Sequence, residues 1–383
     1  MDFKIGKKLP HIAESIYPVM TGLAIKHNAI NLAQGFPGFS IDKELISLVN
    51  KYMILGQNQY APMMGVPDLR INLSEKMQSL YGCKYNPITE ICITAGATQG
   101  IFTAISAVVN QGDEVIIIDP AFESYEPVVK FNGGEVKRSP LKSESFEIDW
   151  QDIRSKVSEK TRMLIINSPQ NPTGKLLSVQ DIQELRKVVL NTNIIILSDE
   201  VYEHIVFDGK EHESISKYSD LAKRSLVIYS LGKTFHVTGW RLGYVCAPEE
   251  LMQEFVRAHQ YQVYSVPTPL QYAISEYILK KEKYLEISQF FQEKRDFFLK
   301  CLKGSKFVPS PCSGSYFQLL NYSKITDEND VDFAKRLTIE NKVASIPISL
   351  FYENKRQEHM LRFCFAKDMD YLEQGAEKLH SVK

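Results

Sequence analysis

No apolar run in the 383-residue chain is long enough to cross a bilayer, and the opening MDFKIGKKLPHIAESIYP holds no apolar core of signal-peptide length. A membrane partner is therefore not expected, and the cytoplasm is the expected compartment. An excess of charge of one sign is missing too. Forty-five Lys and Arg stand against 46 Asp and Glu, a net charge of −1, so no global field favours nucleic acid. The basic stretches KIGKKLPH and LAKRSL are short and read as solvated faces. Cysteine is sparse: Cys83, Cys92, Cys246, Cys301, Cys312 and Cys364 form no CxxC pair, which argues against a disulfide framework or a zinc site. Cys92, Cys246 and Cys364 lie inside apolar runs, as reduced core cysteines do.

Several catalytic signatures are incomplete. AGATQG lacks the GxGxxG spacing of a dinucleotide site. DEVYEHIVFDGKEHE offers Glu200, Glu203, His204 and His212 but neither HExxH nor HxxEH, so it reads as a solvated segment. Ser230 and Lys233 satisfy Ser-x-x-Lys, yet Phe235 follows Thr234 where Gly is needed, and SDE replaces Ser-Asp-Asn.

What is present is an α/β rhythm. EICIT, DEVIIIDP, RMLIINSP, NIIILSDE, SLVIYSLGK and LGYVCAP are near-continuous apolar strands separated by amphipathic helices. That pattern predicts a mostly parallel sheet covered on both faces. From about residue 280 the rhythm changes. KEKYLEISQFFQEKRDFFLKCLKG reads as one long helix with Tyr284, Ile287, Phe291, Phe298 and Leu302 on one stripe and Gly304 as its stop. GSYFQLL, VASIPIS and HMLRFCFA then read as strands of an α+β unit closed by the helix MDYLEQGAEKLH. The first thirty residues show no such rhythm and are expected to pack on this second unit. The expected organisation is a large α/β domain over 31–279 and a smaller α+β domain built from 1–30 and 280–383, with a cleft between them.

In an open α/β sheet, ligands bind beyond the carboxyl ends of the strands. Here Gly96, Ala97 and Thr98 open a helix after EICIT, where free N–H groups suit a phosphate. Asn171 sits in SPQNPTG; Asp199 and Tyr202 follow NIIILS; Ser230, Lys233 and Arg241 follow SLVIY. A phosphate cradle, a buried acid and a lysine together fit pyridoxal phosphate. Its aldehyde condenses with the amine, the acid keeps its ring nitrogen protonated, and an arginine fork clamps its phosphate. Arg362 lies in the apolar strand MLRFCFA and needs an anion. A substrate carboxylate fits, and a structural ion pair to Asp368 is the alternative.

NSPQNPTG, SDEVYEH, SLGKTFHVTGWRLGY and LRFCFAK resemble the signature blocks of class I aminotransferases, from about residue 13 to the C-terminus. INLAQGFPGF, YAPMMGVPDLR, TAGATQGI and SGSYFQLLNYS are most similar to the methionine aminotransferase and kynurenine/glutamine transaminase branch. The resemblance implies fold type I of the pyridoxal-phosphate enzymes, with Lys233 as the Schiff-base lysine and proton shuttle. It implies Asp199 at the pyridinium nitrogen and Tyr202 with Asn171 at the phenolic oxygen. Ala97, Thr98, Ser230 and Arg241 would hold the phosphate and Phe122 would stack on the ring. Arg362 would grip the substrate carboxylate with Asn171 and the backbone near Gly35. Tyr60 would reach the phosphate of a neighbouring subunit in a homodimer with shared sites.

Dicarboxylate-specific relatives carry an arginine in the segment matching HQYQVYSVPTP, which here has Tyr261 and Tyr264, with Arg257 upstream. The expected donor is therefore a neutral amino acid (methionine, glutamine or aromatic) and the acceptor a 2-oxo acid, with Tyr17, Phe36 and Phe122 as candidate pocket walls. A carbon–sulfur β-lyase and a non-catalytic sensor on the same cofactor are the alternatives.

Overall fold

The computed structural model describes residues 6–10 and 12–383. Residues 1–5 and His11, which the sequence assigns to the smaller unit, lie outside the described residues. A short strand, β1 (Ile30–Asn31), comes first. The next strands are β2 (Ile91–Thr94), β3 (Glu114–Asp119), β4 (Glu135–Pro140), β5 (Thr161–Asn167), β6 (Ile195–Asp199), β7 (Ser225–Tyr229) and β8 (Gly243–Cys246). They form one seven-stranded sheet in the order β2-β8-β7-β6-β5-β3-β4. Pairing is parallel from β4 through β7, and β8 alone runs against both its neighbours.

Alternate residues feed two separate cores, as the two-residue period of a strand requires. Ile116, Ile118, Leu164 and Ile166 join one cluster, while Val115, Ile117, Met163 and Ile165 join the other. Burial on both faces is why these strands read as continuous apolar runs. Each such side chain contributes about 1.5–3 kcal/mol by leaving water. Every apolar run expected to be a strand of this sheet is one. The sequence missed β4, EVKRSP, because an edge strand with most of its residues partly or fully exposed has no apolar run to betray it.

Five strands follow: β9 (Val308–Pro309), β10 (Phe317–Asn321), β11 (Val343–Ala344), β12 (Ile346–Pro347) and β13 (Met360–Cys364). An antiparallel sheet in the order β12-β13-β10-β9 places Arg362 on an inner strand, opposite Leu319 and Ile346. β11 pairs in parallel with β1, which ties the start of the chain to its last quarter.

One expectation on helices needs correction. The stretch from about 280 to 304 is two helices, Glu282–Leu285 and Ile287–Cys301, with Glu286 at the break. Its predicted stripe is nonetheless buried throughout. The first thirty residues, which show no strand–helix rhythm, contribute a helix, Ile16–Lys26, whose N-cap Ser15 accepts from Tyr17 N. It packs against helix Asp330–Glu340 and β11. Among the described residues no helix is long and apolar enough to cross a membrane, and all six cysteines are unpaired.

Candidate active site

The parallel strands aim their carboxyl ends at one rim, and β2 points the same way because β8 reverses between it and β7. One cavity of about 110 Å³ at that rim brings together Ala97, Thr98, Phe122, Asn171, Asp199, Tyr202, Ser230, Lys233 and Arg241.

At one end is an anion cradle. Helix Ala97–Val108 starts behind Gly96 with no side-chain cap, so its first N–H groups are left for a ligand. Gly96 has φ +77°, and a Cβ there would meet Arg241 Nη2 at 2.6 Å, so only glycine admits the guanidinium this close. Arg241 is held in turn by Thr238 O at 3.2 Å, with Thr98 Oγ1 at 3.5 Å. The Ser230 hydroxyl caps the short turn carrying Lys233, accepting from Lys233 N at 3.2 Å.

Asp199 ends β6 and is 3% exposed. The Tyr125 hydroxyl donates to its Oδ2 at 2.5 Å and Val201 N–H to its Oδ1 at 3.3 Å. Burial pushes its carboxyl up to about 6, against the pull of those two donors. Among the described residues no cationic side chain forms an ion pair with it. A buried carboxylate that lines a cavity and lacks a cation fits a cationic ring nitrogen.

Lys233 is half-buried. Its Nζ donates to Tyr316 Oη at 2.6 Å and to Gly35 O at 3.2 Å. Burial pulls its amine down to about 8, and Arg241 and Arg362 add to the pull. The amine thus yields its proton far more readily than a solvated lysine. Tyr202, buried beside it, has its phenol pushed well up by burial and stays protonated, a donor at neutral pH.

Arg362 is 1% exposed and makes no ion pair among the described residues, so the alternative of a structural bridge to Asp368 is not what the fold builds. Nη1 donates to Asn171 Oδ1 at 2.7 Å and to the Tyr17 hydroxyl at 3.1 Å, and Nη2 to Ala33 O at 3.3 Å. The guanidinium lies 3.9 Å over the Phe317 ring, and its buried Nε has no partner. A buried guanidinium with a free donor and no ion pair is suited to an anionic ligand. Gly35 joins the site through its carbonyl on Lys233. Its lack of a Cβ is needed there, because one would come within 2.6 Å of Phe317 Cζ.

Tyr60, expected to serve a neighbouring subunit rather than its own chain, is 84% exposed and edge-on to Tyr264, outside this cavity. One candidate pocket wall does not reach the cavity. Phe36 is 40% exposed, under the Lys367 ammonium rather than in the cavity. Tyr17 does reach the site, through Arg362.

Three residues were missed. Asn167 lines the cavity, donates to Asp199 O and accepts from Asn171 N, both at 2.8 Å. Tyr125 and Tyr316 are the partners of Asp199 and Lys233. Much of the segment read as solvated is instead buried, with 208–211 left exposed. Glu200 is buried on Ser198, His212 and Ile215 N, and Glu203 on Lys76 and Tyr81. Both glutamates brace from behind the turn that presents Asp199 and Tyr202. Among the described residues no cluster of His, Cys, Asp or Glu is placed to hold a metal ion.

The model of the class I and II aminotransferases matches residues 27–379. The methionine aminotransferase of Escherichia coli K12 is 39% identical over 98% of this chain and 97% of its own. Kynurenine–oxoglutarate transaminase 1 of Homo sapiens is 30% identical, with 94% of each chain covered. Among solved structures, one from Escherichia coli ascribed a methionine aminotransferase function superposes with a TM-score of 0.97 at 39% identity, covering all of both chains. An aspartate aminotransferase mutant of Thermus thermophilus gives 0.91 at 26% identity, again over both whole chains. With an uncapped helix, an unpaired buried acid, a low-affinity amine and an anion-seeking arginine gathered on this fold, the chain belongs to the class I and II aminotransferases.

Proposed function

We propose that this aminotransferase uses pyridoxal 5'-phosphate to move the amino group of a neutral amino acid (methionine, glutamine or an aromatic one) to a 2-oxo acid. The observation that carries the reading is that the anion cradle, Asp199 and Lys233 line one cavity. When bound, the cofactor supplies an aldehyde that takes up the amino group and a cationic ring that withdraws electrons from the substrate Cα. Gly96, Ala97, Thr98, Ser230 and Arg241 would hold its phosphate and Asp199 its ring nitrogen, while Phe122 would cover the ring face. Tyr202 would donate to the phenolic oxygen. Asn171 has its Oδ1 taken by Arg362, so it would donate there through Nδ2. Lys233 Nζ moves the proton on and off the substrate Cα. Arg362 binds the substrate carboxylate, with the Gly35 backbone alongside.

Support for a neutral donor lies in what surrounds Tyr261 and Tyr264. Both are exposed, no arginine accompanies them, and Arg257 is already paired with Glu254 on the surface. Exposed Tyr60, with Ile54 and Leu55 at 86% and 61%, supports a homodimer in which Tyr60 reaches the partner's cofactor phosphate. Six unpaired cysteines fit a reducing cytoplasm. The seven-stranded sheet falls within the 31–279 unit, and the four-stranded sheet within the unit made from 1–30 and 280–383.

The test is a donor panel against several 2-oxo acids. Amino exchange from methionine, glutamine or phenylalanine, well above that from aspartate, is the expected result. Pyruvate with released thiol would mark β-elimination instead, and a spectral change without product would mark a sensor. Arg362→Leu is expected to raise KM for the donor roughly 100-fold, as a bidentate charged contact is worth about 2–3 kcal/mol. An unchanged KM would return Arg362 to a structural role.

A further inference from the structure

A second and larger cavity, about 240 Å³, lies directly behind the active-site wall. Phe122 and Asn167 line both cavities. Tyr125, which donates to Asp199, lines the second one as well. Three residues that shape the reacting cavity therefore present another side to this one, whereas Arg362 does not line it.

Most of the remaining lining is apolar, with Leu141, Phe146 and Ile148 from one segment and Leu176 and Leu177 from another. Leu141 is fixed from outside, its carbonyl accepting from Arg356 Nη1 at 3.3 Å. An apolar cavity of about 150 Å³ suffices to hold benzene. The volume here therefore fits a six-membered ring, or its branched-alkyl equivalent, with a short chain attached.

The rim decides the charge of the occupant. Lys175 lines the cavity, is half-buried and forms no ion pair among the described residues. The two acids of the lining are engaged elsewhere. Asp181 accepts from Trp150 Nε1 at 2.9 Å and from Ser178 N and Oγ at 2.8 and 2.6 Å. Glu147, with its side chain 67% exposed, stands 3.9 Å from Lys142. Lys175 is thus the one charged group of the lining without a partner among the described residues, and it sits over an apolar chamber.

We propose that this cavity binds a small hydrophobic carboxylate, an aryl- or branched-alkyl alkanoate, with its carboxylate on Lys175 and its apolar part against Phe122 and Tyr125. The occupant then packs against the ring that covers the cofactor face and against the hydroxyl partner of Asp199. Its concentration is reported to the reaction without competition for Arg362.

The probe is 3-phenylpropionate, which has neither an amino nor an oxo group to exchange. Its binding is measured by calorimetry on the cofactor-loaded protein. A carboxylate of this kind can also occupy the Arg362 site, so the measurement is repeated on Arg362→Leu. One site is expected to survive there, to weaken about tenfold when Lys175→Ala is added, and to vanish with Leu177→Trp, which fills the chamber. The Lys175 variant changes a rim side chain only, so its result stands even where the Leu177 variant folds poorly. Loss of all binding in Arg362→Leu would assign the probe to the substrate site and overturn the proposal. So would binding untouched by Lys175→Ala, or none detected in any protein. Because calorimetry needs no turnover, the outcome is independent of whether amino exchange is the reaction.

Discussion

Lys233→Ala is expected to lower kcat for amino exchange by roughly 10,000-fold while leaving the protein folded and able to bind pyridoxal phosphate. The size follows from losing the group proposed to move a proton at the substrate Cα, a role worth up to about four orders of magnitude. Nothing nearby can replace it. Tyr202 and Tyr316, the rings nearest its amine, both have phenols pushed far up by burial and do not act as bases near neutral pH. The proposed phosphate cradle uses other residues, so cofactor affinity is expected to persist. Stability should not fall either, because the deleted amine is a cation that burial already disfavours, pulled down to about 8. Two measurements check this together: single-turnover amino transfer, and the visible absorbance of the cofactor-loaded protein. The absorbance is expected to change in the variant, since the aldehyde has lost its amine. Retained turnover would remove Lys233 from the mechanism, and with it the proposed role of the cofactor.

Why Lys233 was legible in the sequence and Tyr316 was not is a matter of what each residue interrupts. A lysine just past SLVIY breaks an apolar context and demands an explanation on the spot. Tyr316 stands in GSYFQLL, where an aromatic belongs, and becomes a partner only because the fold brings it across 83 positions to Lys233. Asn167 was hidden in the same way. Its contact with Asp199 depends on the β5–β6 register, which pairs the two residues directly and which no local pattern encodes. Tyr125 lies three residues past Phe122, at the start of helix Tyr125–Phe131, and only the folded sheet reveals that its hydroxyl meets Asp199.

The misreading of Glu200 and Glu203 has the opposite cause. Charge was visible, but the compensating groups were not. Lys76, which pairs with Glu203 at 2.7 Å, comes from 127 positions earlier. Local sequence therefore favours the solvated reading, and tertiary pairing overrides it. Strands and the helix Met369–His380 were readable because their signal is periodic and continuous. The edge strand β4 and the break at Glu286 carry no such signal.

Asp199→Asn is expected to reduce kcat by roughly 100- to 1,000-fold with KM for the donor nearly unchanged. Asparagine keeps the shape and can still accept from Val201 N–H, but it offers no charge to a cationic ring nitrogen. At about 4 Å and an effective dielectric of about 20, that pairing is worth about 4 kcal/mol. Only the part that grows as electrons flow from Cα appears in the rate, which brings the expectation down to the range seen when one preorganised electrostatic contact is removed. On the proposed role of Arg362 the donor's carboxylate is bound away from Asp199, so KM is expected to be spared, and this split separates the effect from general loosening of the site. Tyr125→Phe supplies the sign. Its hydroxyl lowers the proton affinity of Asp199, so its removal raises that affinity from the value near 6. Activity that needs ionised Asp199 is then lost at a higher pH as the solution is acidified, and the acid limb of the pH–rate profile moves up. A bound cation lowers the limb in both proteins, so the comparison is between variants under the same cofactor loading. An Asp199→Asn enzyme running near the wild-type rate, or a Tyr125→Phe limb that stays put or moves down, would mean that the buried carboxylate serves the fold rather than the reaction.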